Sequence, residues 1–310
     1  MALSGTMPVI EILTHETQVG ASRGEAPDQG SDPGQAIDLD RIAEIFAEIA
    51  IEAGVAVMAV YSVDSHARRK PDQSPVCDAD EHAEAIILTR LAARVPGIPT
   101  LAEEAAAHGQ KSISASTFIL VDPVDGTREF LSHNDEFTIN IALIVDGAPK
   151  AGVVYAPALA QLWIGGRRAS SCVVAPGAPL PPPEQRLPIH VRDAPAQGLT
   201  ALASRSHSDA ETESFLARLP IRERRMAGSS LKFCAVAEGK ADVYPRFGQT
   251  MEWDTAAGDA VLRAAGGIVL DGENRPLRYN KVEDQFRNGP FVAWGDRARS
   301  IPVGASHTPS

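Results

Sequence analysis

The 310-residue sequence predicts an α/β protein in two lobes, an α+β lobe followed by an α/β lobe. Three observations predict it. Ile42, Ile45, Phe46 and Ile49 recur at the spacing of one helix face, whereas Phe137–Val145 sets Phe, Ile, Ile, Leu and Val at every second position, the spacing of a strand. Farther on, short apolar runs alternate with helical patterns. At roughly 150 residues per domain, a chain of this length divides into two.

Residues 1–36 are rich in Gly, Ser, Pro, Asp and Gln without a sustained apolar period, and are expected to form a disordered leader. The first helix runs from Asp38 to about Val60. A polar loop from Ser65 to Val76 leads to a second helix around Asp78–Ala93, and Ile98–Ala102 is a short strand. Phe118–Val121 is an apolar run that stops at Asp122, as a buried strand would. After the Phe137–Val145 strand, Asp146-Gly147 is a hairpin turn, Ala151–Tyr155 the return strand, and Leu162–Ile164 a further strand.

Ala175–Pro183 holds five prolines in nine residues and marks the boundary between a lobe of residues 37–183 and one of residues 184–297, with a flexible tail over 298–310. The second lobe is expected to carry strands near Leu187–Val191 and Leu199–Ala203 and helices near Asp209–Leu219 and Leu231–Glu238. A last helix over Asp254–Ala265 and a strand over Gly267–Leu270 complete it.

A 44% hydrophobic, 22% charged composition suits a globular core, and the net charge of −11 argues against nucleic acid or an anionic membrane as partner. A small phosphorylated ligand stays open, because local cations can invert the field over one pocket. The cysteines Cys77, Cys172 and Cys234 are odd in number and lack metal-type spacing, so a reducing cytoplasm is the expected location. No apolar run reaches the length of roughly 20 residues that a transmembrane segment needs, and no secretory signal is expected.

Two acidic stretches carry the chemistry, Asp122-Pro-Val-Asp-Gly-Thr127 and Glu252-Trp-Asp-Thr-Ala-Ala-Gly258. Pro123 biases Asp122 toward extended backbone, so Asp122 and Asp125 can converge at a strand end. Gly126-Thr127 opens a helix whose first N–H groups suit a phosphate oxygen. Glu103-Glu104 follows one strand, and Asp72, Asp78 and Asp80 flank the start of the second helix. Alone, the first stretch reads as a turn and Asp254 as a helix N-cap. Together, hard oxygen donors beside a phosphate site point to Mg²⁺.

In combination the stretches resemble the signatures of the lithium-sensitive, Mg²⁺-dependent phosphomonoesterase superfamily of inositol monophosphatase and fructose-1,6-bisphosphatase, with Glu103-Glu104 as its acidic pair. Lys70–Val76, Asp125–Phe130, Glu136–Leu143, Ser204–His207, Gly228–Cys234 and Tyr244–Gly248 look like its bacterial 3'(2'),5'-bisphosphate nucleotidase branch. The resemblance spans about residues 38 to 296 and implies a layered αβαβα sandwich. It implies metal ligation by Glu103, Asp122, the Val124 carbonyl, Asp125 and Asp254, with two or three Mg²⁺ ions per site. Thr127 would orient the attacking water with Asp80 behind it, and Glu103 joins these two as a catalytic residue. The Gly126-Thr127 amides would hold the scissile phosphate, with Asp254 also facing the substrate. Ser229, Lys232 and Arg246 would hold a second phosphate or the ribose, and His207 would lie near adenine.

The implied reaction removes the 3'-phosphate of 3'-phosphoadenosine 5'-phosphate, in sulfur metabolism. An inositol or sugar phosphate phosphatase is the alternative on the same metal site. A homodimer and peripheral placement at the inner membrane's cytoplasmic face are further implications. Cys77, the Gly165–Arg168 turn and the proline-rich insert depart from the family pattern.

Overall fold

The computed structural model describes residues 37–62, 68–69, 75–76, 78–109, 113, 115–204 and 210–303. From Leu39 onward the chain forms one compact unit. It opens with helix α1 (Leu39–Tyr61), the short antiparallel pair β1 (Arg68–Arg69) and β2 (Pro75–Val76), and helix α2 (Asp78–Arg94). Next come β3 (Thr100–Ala102), the single-turn helix α3 (Glu103–Ala107), β4 (Thr117–Asp125) and α4 (Thr127–Leu131). Strands β5 (Thr138–Val145), β6 (Ala148–Ala156), β7 (Gln161–Gly165), β8 (Ala169–Val173) and β9 (Leu187–Pro188) complete a seven-stranded sheet in sequential order from β3. Among the described residues of this sheet, β3–β4 is the one parallel pairing.

The second half supplies β10 (Leu199–Ser204), α5 (Ala210–Leu216), β11 (Ile221–Ala227), α6 (Leu231–Ala237), β12 (Val243–Arg246) and β13 (Thr250–Met251). It continues with α7 (Glu252–Ala264), β14 (Ile268–Asp271), β15 (Arg287–Asn288) and β16 (Phe291–Trp294). A five-stranded sheet runs β11-β10-β12-β16-β14, and β13 pairs with β15.

Strand alternation builds the layers. On β6, Tyr155 would meet any Cβ added at Gly54 of α1, whereas Gly152 lies against Ala257 and Ala260 of α7. The large sheet is therefore covered on both faces, and seven of the eight β5 residues are buried. Phe291 and Ala293 of β16 join the core shared with α6, α7 and the large sheet, while Val292 and Trp294 pack with Phe215 and Leu216 of α5. The order is α1/α2, sheet, α6/α7, sheet, α5: the expected αβαβα sandwich.

The strand expected to stop at Asp122 continues to Asp125 through an irregularity in its register with β5. The strand expected over Leu187–Val191 is only Leu187–Pro188 and belongs to the seven-stranded sheet, beyond the proline-rich stretch. The helix expected near Asp209–Leu219 ends at Leu216. Strands β8, β11, β12 and β16 were not expected. β11 is an edge strand whose residues Arg222–Met226 are all exposed, so it has no apolar face to read. Among the described residues no helix is long and apolar enough to cross a membrane.

Candidate active site

The acids gather where the large sheet meets α7. Asp122 lies buried near the end of β4, and its Oδ1 accepts the Val124 N–H at 3.1 Å. Burial pushes its carboxyl well above the usual carboxylate range, and the negative charges of Glu103, Asp125, Asp254 and Asp80 push it further. Asp254 is raised by burial and by Asp125 and Glu103, opposed by the Met251 N–H and Arg246. The two motifs and the acids on α2 and α3 thus share one electrostatic site.

Asp254 is not the helix N-cap. It is the third residue of α7, and its Oδ2 reaches back to accept the Met251 N–H at 2.8 Å. Next to it, Glu252 is fully buried, accepts the N–H groups of Asn280 and Lys281 at 2.8 Å, and pairs with the Lys281 ammonium at 2.7 Å. This lock holds the start of α7. Glu103 begins α3, where the buried Glu84 carboxylate accepts the N–H groups of Glu104 and Ala105 at 2.8 Å. Burial raises Glu84 to about 7.

Gly126 adopts φ +94°, a left-handed conformation open to glycine, and turns the chain from β4 into α4. Thr127 Oγ1 lies 3.5 Å from the Val124 carbonyl. Asp125 is held from across the core: its Oδ2 accepts Ser229 Oγ at 2.6 Å and Asn140 Nδ2 at 3.3 Å.

Lys232 is buried on α6, with its ammonium donating to the carbonyls of Ser229 at 2.6 Å and Ala227 at 3.2 Å. Burial lowers its pKa to about 8, with Asp125 opposing and Arg246 reinforcing the shift. Arg246 Nε donates to the Gly248 carbonyl at 3.2 Å. Ser229, Lys232 and Arg246 therefore stand beside the acids. His207 lies outside the described residues, as does Asp72.

Among the described residues, no three acidic, His or Cys side chains converge in a ready metal shell. The acids repel one another, and Asp122, Asp125 and Asp254 are each held by hydrogen bonds within the protein. Their donor chemistry fits a hard divalent cation all the same: oxygen donors only, with mutual repulsion that a cation would relieve.

A model of the inositol monophosphatase family matches residues 38–288. The chain belongs to that family. It is 42% identical over 247 residues to the 3'(2'),5'-bisphosphate nucleotidase CysQ of Escherichia coli O6:H1, covering 78% of this chain and 95% of the relative. The Buchnera aphidicola CysQ is 37% identical over 258 residues, covering 82% and 92%. The crystal structure of CysQ from Bacteroides thetaiotaomicron superposes with a TM-score of 0.68 at 36% identity, covering 83% of this chain and 97% of that one.

The stretches Glu136–Leu143 and Gly228–Cys234 contain Thr138, Asn140 and Ser229, but nothing in the sequence says that these residues hold Asp125. Asn140 and Thr138 carry a legible signal, since polar side chains alternate with apolar ones in a strand covered on both faces. Glu84 and Lys281 carry none, because their partners are backbone groups or side chains far away in the chain.

Proposed function

We propose that this protein is a Mg²⁺-dependent 3'(2'),5'-bisphosphate nucleotidase that removes the 3'-phosphate of 3'-phosphoadenosine 5'-phosphate to leave AMP and phosphate. The carrying observation is the juxtaposition of the Asp122, Asp125, Asp254 and Glu103 cluster with Ser229, Lys232 and Arg246. An acid cluster suits cations that grip the scissile phosphate, and an adjacent basic cluster suits a second phosphate. The CysQ relatives are named 3'(2'),5'-bisphosphate nucleotidases, which supports a substrate of that class.

In this reading Glu103, Asp122, Asp125, Asp254 and the Val124 carbonyl would hold two or three Mg²⁺ ions. Bound Mg²⁺ supplies charge neutralisation at the phosphate and the leaving oxygen. Thr127 directs a water at phosphorus, and Asp80 takes the threonine hydroxyl's hydrogen bond so that the oxygen faces the water as an acceptor. The Gly126 and Thr127 amides hold the scissile phosphate against α4. Arg246, Lys232 and Ser229 orient the second phosphate or the ribose, and His207 lies near the base. Phosphoryl transfer of this kind depends on positioning and electrostatics, and no covalent nucleophile is required.

The test is phosphate release from 3'-phosphoadenosine 5'-phosphate, inositol 1-phosphate and fructose 1,6-bisphosphate, with Mg²⁺ and with EDTA. The bisphosphonucleotide is expected to be turned over fastest, and EDTA to abolish turnover. A faster rate on inositol 1-phosphate overturns the assignment.

A further inference from the structure

Asn140 has no assigned role, yet it sits at the centre of the network around Asp125. It lies on β5 directly across from Asp122, and Thr138 lies across from Asp125. Both side chains are fully buried on the face of β5 shared with Ala142 and Ile144, which joins the core of α6 and α7. The Asn140 amide donates to Asp125 Oδ2 at 3.3 Å and to Ser230 Oγ at 3.0 Å, and its carbonyl faces Thr138 Oγ1 at 3.0 Å. Ser230 Oγ in turn donates to the Asp254 carbonyl at 3.0 Å. Thr138 Oγ1 stands 2.6 Å from Ser229 Oγ, which donates to Asp125 Oδ2. With the Ser229 proton on Asp125, the Thr138 proton serves either Ser229 or the Asn140 carbonyl.

The turn at Ser229 and Ser230 is itself built under constraint. Ser229 takes φ +50°, unusual for a residue with a side chain. It is held there by the Lys232 ammonium on its carbonyl and by Gly228 N–H donating to Glu136 Oε2 at 2.8 Å. Both bonds to Asp125 fall on Oδ2, which fixes the carboxylate's rotation and leaves Oδ1 without a hydrogen bond among the described residues.

We propose that Asn140 is a positioning residue that joins the Asp125 carboxylate and the Ser229–Ser230 turn into one hydrogen-bonded assembly, presenting Asp125 Oδ1 to a divalent cation. This rests on reading Asp125 as a cation ligand. Thr138 supports the assembly from the same strand face. Substrate capture at the turn and cation capture at Asp125 are then coupled by two routes, the direct Ser229–Asp125 hydrogen bond and the bridge through Asn140.

The test compares Asn140→Ala, Asn140→Ser, Thr138→Val and Asp125→Asn in the full chain. Mn²⁺ binding to the substrate-free protein is followed by electron paramagnetic resonance, beside the Mg²⁺ dependence of turnover. Asn140→Ala is expected to weaken Mn²⁺ binding and raise the Mg²⁺ needed for half-maximal rate by about 10- to 100-fold, the usual range when a ligand's supporting partner is lost. Saturating Mg²⁺ restores kcat, a rescue that a merely structural lesion would not show. Asn140→Ser restores part of the cation affinity. If Asn140→Ala does not fold, Thr138→Val, which keeps the side-chain shape, must weaken Mn²⁺ binding. Wild-type Mn²⁺ affinity in a folded Asn140 variant, or in Thr138→Val when no Asn140 variant folds, overturns the inference while leaving the Proposed function intact if Asp125→Asn has lost the ion. Undiminished Mn²⁺ binding by Asp125→Asn overturns the cation reading and this inference together.

Discussion

Asp122 is a buried carboxylate pressed by Glu103, Asp125, Asp254 and Asp80, so its charge costs folding free energy. Asp122→Asn keeps an oxygen for the Val124 N–H and removes one of the repelling charges. It is expected to stabilise the metal-free protein by about 1–2 kcal/mol and to abolish turnover, the trade expected at a strained site. Thermal unfolding in EDTA checks it, and a lower midpoint for the variant contradicts the argument. Lys232 gives a pH signature. Burial disfavours its charged form, so the ammonium is present below about pH 8 and lost above it. Because kcat/KM reports the free enzyme, kcat/KM for the bisphosphonucleotide is expected to fall as pH rises through about 8, while kcat holds better. In Lys232→Met this fall should disappear against an already raised KM.

At the scale of elements, α7 shows what a motif read as chemistry also does for packing. A Cβ added at Gly258 would come within 2.4 Å of the Phe233 ring, so this glycine lets α6 and α7 approach closely. Gly258→Ala is expected to cost about 1–3 kcal/mol by overpacking and to lower activity by moving Asp254 with its helix, measurable by denaturant unfolding and turnover. The period of α1, the alternation of β5 and the acid-bearing ends of β4 and α7 were legible in the sequence because each is a local pattern. β11 was not legible, since charges such as Arg222, Glu223 and Arg224 show no strand alternation, and Asp254's true helix position depended on a backbone bond to Met251. The tie between Ser229 and Asp125 joins residues 104 apart, a contact that no spacing rule contains.

For the whole molecule, one shared core draws Leu120, Ala142 and Val154 of one sheet together with Phe291 and Ala293 of the other around Phe233 and Val261. Neither sheet can lose its partner layer without exposing this core, so calorimetry is expected to give one unfolding transition; two resolved transitions would mean that the halves melt independently. Mg²⁺ binding only the folded form should raise that transition with concentration, by about 2.7 kcal/mol at a hundredfold excess over its dissociation constant. A midpoint indifferent to Mg²⁺ would count against a resident cation.

The margin of the smaller sheet has its own consequence. Among the described residues β11 ends the row of strands in the five-stranded sheet, and Arg222, Glu223, Arg224 and Arg225 are all exposed along it. Bulky charges of this kind deter a stray strand from zipping onto that row. Charge along β11 thus guards that edge against fibril growth, and exchanging those arginines for valine or threonine is expected to speed aggregation on storage, as light scattering would read.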